Sequence, residues 1–338
     1  MDRVEIALAA NEAYFSGLVV TAGSIALHAS QNIILSFHIC DGGIPDAKYQ
    51  NFCNLISSKH SHIEFTRHKI DETAFKSFPK WQGNHMAYAR LLLDDLMPES
   101  EHVIYCDVDF LWMADIAKLW QLRDNKSALI SVPDSCKETL EKEEKWFKSH
   151  RLPFDKRSYI CSGLTFFNLR LMRQMNLREK IYHWLEKYPD VIFPDQAALN
   201  SVLFDRIRLI PDYWQQLTVT LRQEDLDHPI VLHYAGESPW KRGLWIEMLT
   251  DTILLWHNYN ATIHEKTLWW SLRQYFSTWE IFYRRAIFNL LSINLTRKIF
   301  FWLLEKTGRG SYIKKSMQWC NYFPQIINKS KIARIKGL

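Results

Sequence analysis

The first part of the chain alternates short apolar runs with segments of helical periodicity, and this alternation constrains the fold more than any other feature. Apolar runs at residues 4–8 and 33–39 and the segment at residues 62–66 predict three strands. Apolar residues at helical spacing predict a helix over residues 14–30, and a second helix is expected over residues 46–58 with Asp46 as its N-cap. This order of strands and helices implies a parallel sheet with helices on its faces. We therefore expect an α/β fold that binds ligands at the carboxyl ends of its strands.

The alternation continues to about residue 250 without a low-complexity linker. Further strands are predicted at residues 103–106, 128–132, 159–168, 207–209 and 230–232, and further helices at residues 86–96, 115–122, 137–150, 169–186 and from residue 194. The helix at residues 137–150 is charged and is expected to be exposed. A chain of 338 residues with 47% hydrophobic content is long enough for one large domain and an appendage. We expect a domain at residues 1–250 and an extension at residues 251–338.

Cysteine usage and the N-terminus bear on the compartment. The six cysteines include no Cys-x-x-Cys pair, which argues for buried thiols and against zinc or disulfides. The N-terminus has neither a long apolar segment nor a small-residue cleavage site, so no secretion is expected. These features favour a cytoplasmic location.

Two carboxylates follow the apolar run at residues 103–106. Asp107 and Asp109 lie two residues apart, so that both side chains can point the same way where the strand ends. Carboxylate oxygens at such a place suit a hard divalent cation. The alternative is a surface turn in which two acids face water, because so short a motif often occurs by chance.

His233 ends another apolar run and is followed by Gly236. By itself it is more often a structural histidine, but beside Asp107 and Asp109 it is a candidate third metal ligand. Two carboxylates and an imidazole, completed by phosphate oxygens, suit Mn²⁺ better than Ca²⁺, and Mg²⁺ is the other candidate. A second Asp-x-Asp, Asp225 to Asp227, lies in a charged run with no strand before it, which predicts a solvated loop.

The C-terminal part is basic and aromatic. Residues 264–338 carry fourteen Lys or Arg against three acids, a net charge of +11, whereas the rest of the chain carries about −6. Apolar residues at helical spacing predict one amphipathic helix: Leu268, Leu272, Tyr275, Trp279 and Phe282. Its apolar face suits an anionic membrane surface, and docking on the body of the protein is the alternative. Nucleic acid is a third possibility, which nothing in the body supports.

Seven short motifs stand in the order found in one enzyme family. They are Ala9-Ala10-Asn11-Glu12-Ala13-Tyr14, Tyr88-Ala89-Arg90, Asp107-Val108-Asp109, Asp134, Ser162-Gly163, Asp195-Gln196 and His233-Tyr234-Ala235-Gly236 with Pro239-Trp240. Over residues 4–241 the chain resembles the retaining glycosyltransferases of family eight, especially the bacterial lipopolysaccharide galactosyl- and glucosyltransferases. The resemblance implies a GT-A-like single nucleotide-binding domain with a mixed, mostly parallel sheet, followed here by the C-terminal amphipathic helical extension.

The resemblance also implies roles for individual residues. In the family, the positions that match Ala9, Asn11 and Tyr14 hold the uridine of a UDP-sugar, and the tyrosine ring stacks on uracil. The positions that match Arg90 and Gly236 hold the diphosphate. Val108, Ser162 and Gly163 belong to the donor-binding motifs. Asp107, Asp109 and His233 match the metal ligands. Asp134 and Asp195 match residues that touch the donor sugar, and Gln196 matches the residue beneath the anomeric carbon.

Three departures from the family pattern concern the donor. Asn11 stands where Asp is common and Ala13 where a polar residue is common, although an amide can still pair with uracil. Cys161 replaces an Asn that contacts sugar, which bears on the choice of hexose. The lysine usually found before Pro-Trp is absent, and Lys241, just after Trp240, is its candidate substitute.

The expected activity is metal-dependent, anomer-retaining transfer of galactose or glucose from a UDP-sugar to a saccharide, with a lipid-linked lipopolysaccharide or lipooligosaccharide core as the acceptor. The expected location is the cytoplasmic, inner face of a bacterial inner membrane, with no nucleic-acid partner. The alternatives are a UDP-sugar-binding protein that has lost turnover, a glycogenin-like self-glucosylating enzyme, and a nucleotidyltransferase with two metal ions and a basic cleft, against which the mildly acidic body argues.

Overall fold

The computed structural model describes residues 1–80, 85–218, 230–236, 238–241 and 250–292. The strands are β1 Asp2–Ala10, β2 Ile33–Asp41, β3 Ile63–Lys69, β4 His102–Cys106, β5 Phe110–Trp112, β6 Leu129–Pro133, β7 Ile160–Asn168, β8 Ile207–Leu209, β9 Gln216–Leu217 and β10 Val231–His233. The helices are α1 Phe15–His28, α2 Asp46–Ser57, α3 Leu93–Leu96, α4 Ile116–Trp120, α5 Lys137–Ser149, α6 Leu169–Met175, α7 Leu177–Lys187, α8 Pro194–Val202, α9 Asp251–Ile263, α10 Leu268–Tyr275 and α11 Thr278–Ser292. Short 3-10 helices occupy Glu12–Tyr14, Glu72–Phe75, Met86–Leu92 and Asp212–Trp214.

Seven strands form the central sheet, in the order β3-β2-β1-β4-β7-β6-β8. Strand β7 runs antiparallel to both of its neighbours, and the other pairs are parallel. The predicted α/β fold with a mixed, mostly parallel sheet is therefore confirmed. A second sheet, β5-β10-β9, lies beside the end of β4 and brings His233 of β10 opposite Phe110 of β5.

The two faces of the central sheet support two hydrophobic cores. Alternate residues of β1 point to opposite faces, so Ile6 and Leu8 join one core whereas Ala7 and Ala9 join the other. Helix α1 covers the first core, and α7 and α8 cover the second. The carboxyl ends of β1 and β4 lie side by side between these layers.

Four helices predicted within residues 1–250 differ in the structure. The single helix expected at residues 169–186 is broken into α6 and α7 at Asn176, whose φ of 49° is a left-handed conformation that Asn tolerates better than most residues. Residues 86–96 form a 3-10 helix followed by α3, and α2 begins at Asp46 with Pro45 as its N-cap, so Asp46 is not the cap. Helix α5 is not simply exposed, because it buries Leu140 and Phe147.

Helix α9 contributes to the first core. Leu255, Trp256, Tyr259 and Ile263 are all fully buried. An added Cβ at Gly23 of α1 would lie 2.5 Å from Ile263 Cδ1, so the two helices approach closely. The division of the chain at residue 250 stays a prediction, but its two sides share this core.

The predicted amphipathic helix at residues 268–282 is wrong as one helix, because α10 ends at Tyr275 and Phe276 is extended. The aromatic residues therefore divide between two surfaces. Leu272 is buried and the Tyr275 hydroxyl donates to Ser16 Oγ at 2.9 Å, whereas Trp279 and Phe282 are 75% and 62% exposed. Within the described residues, no helix is both long and apolar enough to cross a bilayer. Asp225 to Asp227 and residues 293–338 lie outside the described residues.

Candidate active site

The three predicted metal ligands lie together. Asp107 and Asp109 follow β4, and His233 ends β10; one ligand atom from each lies within 4.8 Å of the others. Backbone hydrogen bonds hold the segment in place, from Asp107 N–H to the Gly163 carbonyl at 2.8 Å and from Tyr234 N–H to the Asp109 carbonyl at 2.9 Å. The cluster is thus fixed by strand pairing as well as by its own side chains.

The donor set suits a divalent cation. His233 Nε2 lies 3.3 Å from Asp109 Oδ1, and that buried oxygen has no hydrogen bond of good geometry in the described part of the chain. Two carboxylates and one imidazole are ligands that Mn²⁺ and Mg²⁺ accept, with further positions left for phosphate oxygens and water. The residues present therefore fit the metal that the sequence predicts.

A buried arginine neutralises the first carboxylate. Arg90 Nη2 donates to Asp107 Oδ1 at 2.8 Å, its Nη1 donates to the Ser162 carbonyl, and its guanidinium lies over the Tyr105 ring at 4.3 Å. Burial raises the pKa of Asp107 to about 6, with Arg90 opposing the rise and Asp109 adding to it. Burial would also raise the pKa of Asp109, but the imidazole of His233 outweighs it and lowers that pKa below its usual value. The charges of Arg90, Asp107, Asp109 and His233 therefore influence one another's protonation.

The imidazole of His233 is placed by its neighbours. Its ring stacks on Phe110, with centroids 4.2 Å apart. Gly163 of β7 faces the ring edge, where an added Cβ would lie 2.7 Å from His233 Cε1. Desolvation alone would lower the pKa of His233, but Asp109 raises it well above its usual value. A glycine is needed at residue 163 because the imidazole takes the space of a side chain.

A second network joins three predicted donor-sugar residues. Gln196 Nε2 donates to Asp134 Oδ2 at 3.0 Å, and Gln196 Oε1 accepts from Ser162 N–H at 3.0 Å. Asp195 Oδ2 accepts from Ser162 Oγ at 3.0 Å and lies 3.4 Å from Arg90 Nη1. Arg90 links this network to Asp107, so both networks line one cavity of about 450 Å³.

The predicted nucleoside-binding residues also line that cavity. Ala9, Asn11, Tyr14 and Val108 lie on its wall, and Asn11 Oδ1 is a buried acceptor without a hydrogen bond among the described residues. Such a carbonyl can accept from the N3–H of a uracil. Gly236, with φ of 77°, lines the cavity as well.

Lys241 does not line the cavity in this structure. Its Nζ lies 3.9 Å from the centroid of the Tyr14 ring, over a face that a base would otherwise stack on. Trp240 packs edge-on against the same ring at 6.1 Å. The structure thus places Lys241 beside Tyr14, and its role at the diphosphate stays a prediction.

Sequence reasoning missed several residues that line the cavity. Cys136, the N-cap of α5, recurs at three-residue spacing with Thr139 and Lys142 of that helix, and Phe193 and Leu217 come from the N-cap of α8 and from β9. The three-residue spacing on α5 was a visible signal, because residues i and i+3 share a helix face. No local pattern marks Phe193 or Leu217.

A family model of known proteins matches this chain. The model, described as glycosyl transferase family 8, aligns with residues 5–243. This chain belongs to that family. The match extends from β1 past Lys241 and includes both networks of the cavity.

Individual relatives are distant. The General stress protein A of Bacillus subtilis (strain 168) is 24% identical over 240 residues, which cover 64% of this chain and 80% of the relative. An Arabidopsis thaliana protein described as probable galacturonosyltransferase-like 8 is 24% identical over 262 residues, 71% of this chain and 67% of that protein. Among solved structures, the galactosyltransferase LgtC in complex with donor and acceptor sugar analogs superposes with a TM-score of 0.63 at 22% identity, covering 78% of this chain and 96% of that one. That likeness establishes the GT-A-like fold.

Proposed function

We propose that this family 8 member transfers a hexosyl group, galactose or glucose, from a UDP-sugar to a saccharide acceptor and retains the anomeric configuration. The observation that carries the proposal is that one cavity contains both a cluster suited to a divalent metal and a hydrogen-bonded group of polar side chains suited to sugar hydroxyls. The metal cluster is Asp107, Asp109 and His233, and the polar group is Asp134, Asp195 and Gln196. A nucleoside diphosphate sugar presents both chemistries in that order, a diphosphate and then hydroxyl groups.

Asp107, Asp109 and His233 would hold Mn²⁺, or alternatively Mg²⁺, and such an ion acts as a Lewis acid on a leaving diphosphate. Arg90 keeps Asp107 oriented through its 2.8 Å ion pair. Ala9, Asn11 and Tyr14 would hold the uridine, with the Asn11 carbonyl as the acceptor. Gly236 would allow backbone approach to the diphosphate, and Lys241 would move from the Tyr14 ring to the phosphate oxygens when the donor binds.

The arrangement of the sugar end favours attack on the face from which UDP departs. A double displacement requires a carboxylate free to attack beneath C1. Asp195 is instead engaged by Ser162 Oγ and Arg90, and Gln196 is an amide whose two ends are both hydrogen-bonded. Asp134 and Asp195 would orient sugar hydroxyls, Gln196 would lie beneath the anomeric carbon, and the departing UDP oxygen would take the proton of the acceptor hydroxyl.

The acceptor in this proposal is lipid-linked, such as a lipopolysaccharide or lipooligosaccharide core, and the protein works at the inner face of a bacterial inner membrane. Two features support this location: the exposed aromatic side chains of α11 and the net charge of +11 on residues 264–338. Apolar side chains beside Lys and Arg are typical of segments that bind anionic bilayers.

Hydrolysis of a donor panel tests the proposal. UDP-glucose, UDP-galactose and UDP-galacturonic acid are incubated with Mn²⁺ and the wild type, Asp107→Ala, Asp109→Ala or the control Asp205→Ala, whose side chain is 80% exposed. We expect one UDP-hexose to turn over in the wild type and the control, and turnover at least about 100-fold lower in the other variants.

Three other outcomes would contradict it. UDP binding without turnover of any donor would identify a sugar-nucleotide-binding protein. Turnover of UDP-galacturonic acid alone would exclude a neutral hexose. A gain of hexose mass by the purified protein would indicate self-glycosylation.

A further inference from the structure

Glu143 is a buried acid behind the donor-sugar network and outside the cavity lining. It lies on α5 and is fully buried, although the helix around it is rich in charged residues. The hydroxyl of Tyr159, which is itself 3% exposed, donates a hydrogen bond to Glu143 Oε2. None of the sequence motifs includes either residue, so the pair needs its own explanation.

The pair lies where two catalytic segments begin. Tyr159 immediately precedes β7, and its carbonyl accepts from the N–H of Asp134 at 2.8 Å. Glu143 also faces the backbone N–H of Phe193, the N-cap of α8, and this contact lowers the pKa of Glu143. Helix α8 then carries Asp195 and Gln196 in its first turn.

Asn200 ties the same two segments together one turn further along. Its Nδ2 donates to the Ile160 carbonyl at 3.0 Å and to the Gln196 carbonyl at 2.9 Å, and its Oδ1 accepts from Ile160 N–H at 2.8 Å. Strand β7 and α8 are therefore held together by Asn200, and the Glu143–Tyr159 pair links the residue before β7 to the N-cap of α8. Only the second of these ties reaches the α8 N-terminus.

Burial of Glu143 is energetically unfavourable. Desolvation raises its pKa to about 7; Tyr159 and Phe193 oppose the rise, and the charges of Asp134 and Asp195 add to it. A raised pKa means that the ionised carboxyl destabilises the fold, and that this cost grows as the pH rises from the unfolded value towards 7. Strongly perturbed acids next to a cleft are typical of functional sites.

We propose that Glu143 and Tyr159 are positioning residues, which anchor the first turn of α8 to the start of β7 and thereby set Gln196 and Asp195 against the donor sugar. The inference rests on the proposed function, because Asp195 and Gln196 matter only if a sugar binds there. It adds two residues that touch no substrate and act through α8.

The test separates sugar chemistry from nucleotide binding. Tyr159→Phe, Glu143→Gln, the double variant Glu143→Leu/Tyr159→Phe and the control Glu141→Gln, a 57% exposed acid on the same helix, are compared. The double variant removes both side-chain partners of the Tyr159–Glu143 hydrogen bond, so neither polar group of that bond is left unpaired and the protein is expected to fold. Mn²⁺-dependent hydrolysis of the UDP-hexose that the wild type turns over gives kcat, and calorimetric titration with UDP and Mn²⁺ gives Kd.

We expect kcat to fall at least about tenfold in Tyr159→Phe and in the double variant, while the Kd for UDP stays within about twofold of the wild type. Glu143→Gln keeps an acceptor for the Tyr159 hydroxyl and should therefore retain most of the wild-type kcat. Unchanged kcat in a folded double variant, or parallel losses of kcat and UDP affinity, would overturn the positioning role. A wild type that hydrolyses no donor would instead refute the proposed function and the positioning role with it.

Discussion

Arg90 links the two halves of the candidate site. Its guanidinium is fully enclosed and contacts Asp107, Asp195 and the Ser162 carbonyl, so one side chain touches both the metal cluster and the sugar network. A planar group with five N–H donors can serve several acceptors at once, which Lys cannot do. The family resemblance assigned Arg90 to the diphosphate, which stays a prediction; in the structure Arg90 contacts the two carboxylates.

The substitution Gly163→Ala tests whether the position of the His233 imidazole matters for metal binding. In Gly163→Ala the new methyl group would collide with His233 Cε1, 2.7 Å away, and push the imidazole from Asp109. We expect Mn²⁺-dependent UDP affinity to fall about 10- to 100-fold, as when the support of a metal ligand is lost. Calorimetric titration measures it, with the thermal melt as a check of folding. Unchanged affinity in a folded variant would exclude His233 from the metal site.

Asp195→Asn tests the role of the carboxylate beside Gln196. The substitution keeps the shape but removes the charge that faces Ser162 Oγ and Arg90. We expect kcat for donor hydrolysis to fall on the order of 100-fold, with little change in the Kd for UDP. Asp205→Asn, on an exposed side chain, is the matched control. Nearly full turnover in Asp195→Asn would exclude Asp195 both as a nucleophile and as a sugar ligand.

Individual elements differ in how well local sequence predicts them. The strand before Asp107 is predicted well, because its apolar run and its acidic end are both local signals. The break at Asn176 and the buried side of α5 are not, since both depend on what packs against the helix. Glu143 illustrates the difficulty: Lys142, Glu144 and Lys145 surround it in sequence, so only the tertiary fold distinguishes it from an exposed acid.

Helix α9 carries a histidine whose burial makes stability depend on pH. Desolvation lowers the pKa of His257 to about 3, and its Nδ1 lies 2.9 Å from Ser271 Oγ. Between pH 6.5 and 3 the unfolded chain binds a proton that the folded chain does not, so stability falls as the pH falls, by up to about 1.4 kcal/mol per unit.

Urea unfolding between pH 7 and 4 measures this dependence. The slope of unfolding free energy against pH should be shallower in His257→Gln than in the wild type. His183→Gln, a substitution of an exposed histidine, should leave the slope unchanged. Equal slopes in all three proteins would mean that His257 is accessible to protons in the folded state.

At the scale of the whole molecule, the predicted metal ligands come from segments far apart in sequence. Asp109 and His233 meet because β5 and β10 pair, while β1 and β4 bring Ala9 near Asp107. The extension is also part of this assembly, since Trp256 of α9 packs against Trp240, which contacts Tyr14. An aromatic chain thus runs from the cavity to the C-terminal helices.

Truncation tests how far the extension belongs to the folded unit. A protein ending at residue 292 should unfold cooperatively and bind UDP, whereas one ending at residue 250 should not fold. The shorter protein loses four large, fully buried side chains of α9, namely Leu255, Trp256, Tyr259 and Ile263, each typically worth about 1.5–3 kcal/mol. Circular dichroism during urea unfolding distinguishes the two. A cooperative transition in the shorter protein would support the predicted boundary at residue 250 as a true domain limit.

Membrane association belongs to the same scale. The full chain should float with vesicles that contain anionic lipid, and the double variant Trp279→Ser/Phe282→Ser should float several-fold less, because two exposed aromatic side chains no longer enter the bilayer interface. Phe204→Ser removes an aromatic side chain that is 48% exposed on the body and serves as the control. Equal flotation of all three proteins would remove α11 from the proposed membrane surface.

The sequence by itself determined the α/β class, the strand that ends at Asp107 and Asp109, and the family resemblance, because periodicity and ordered motifs are properties of neighbouring residues. It grouped Asp107, Asp109 and His233 as candidate metal ligands from their residue types, and the family resemblance assigned them the same role. The tertiary structure decided how they meet, that Arg90 joins them to Asp195, that Glu143 is buried behind Gln196 and that Lys241 covers Tyr14. These contacts depend on strand order and helix packing, which bring together side chains that no local pattern relates.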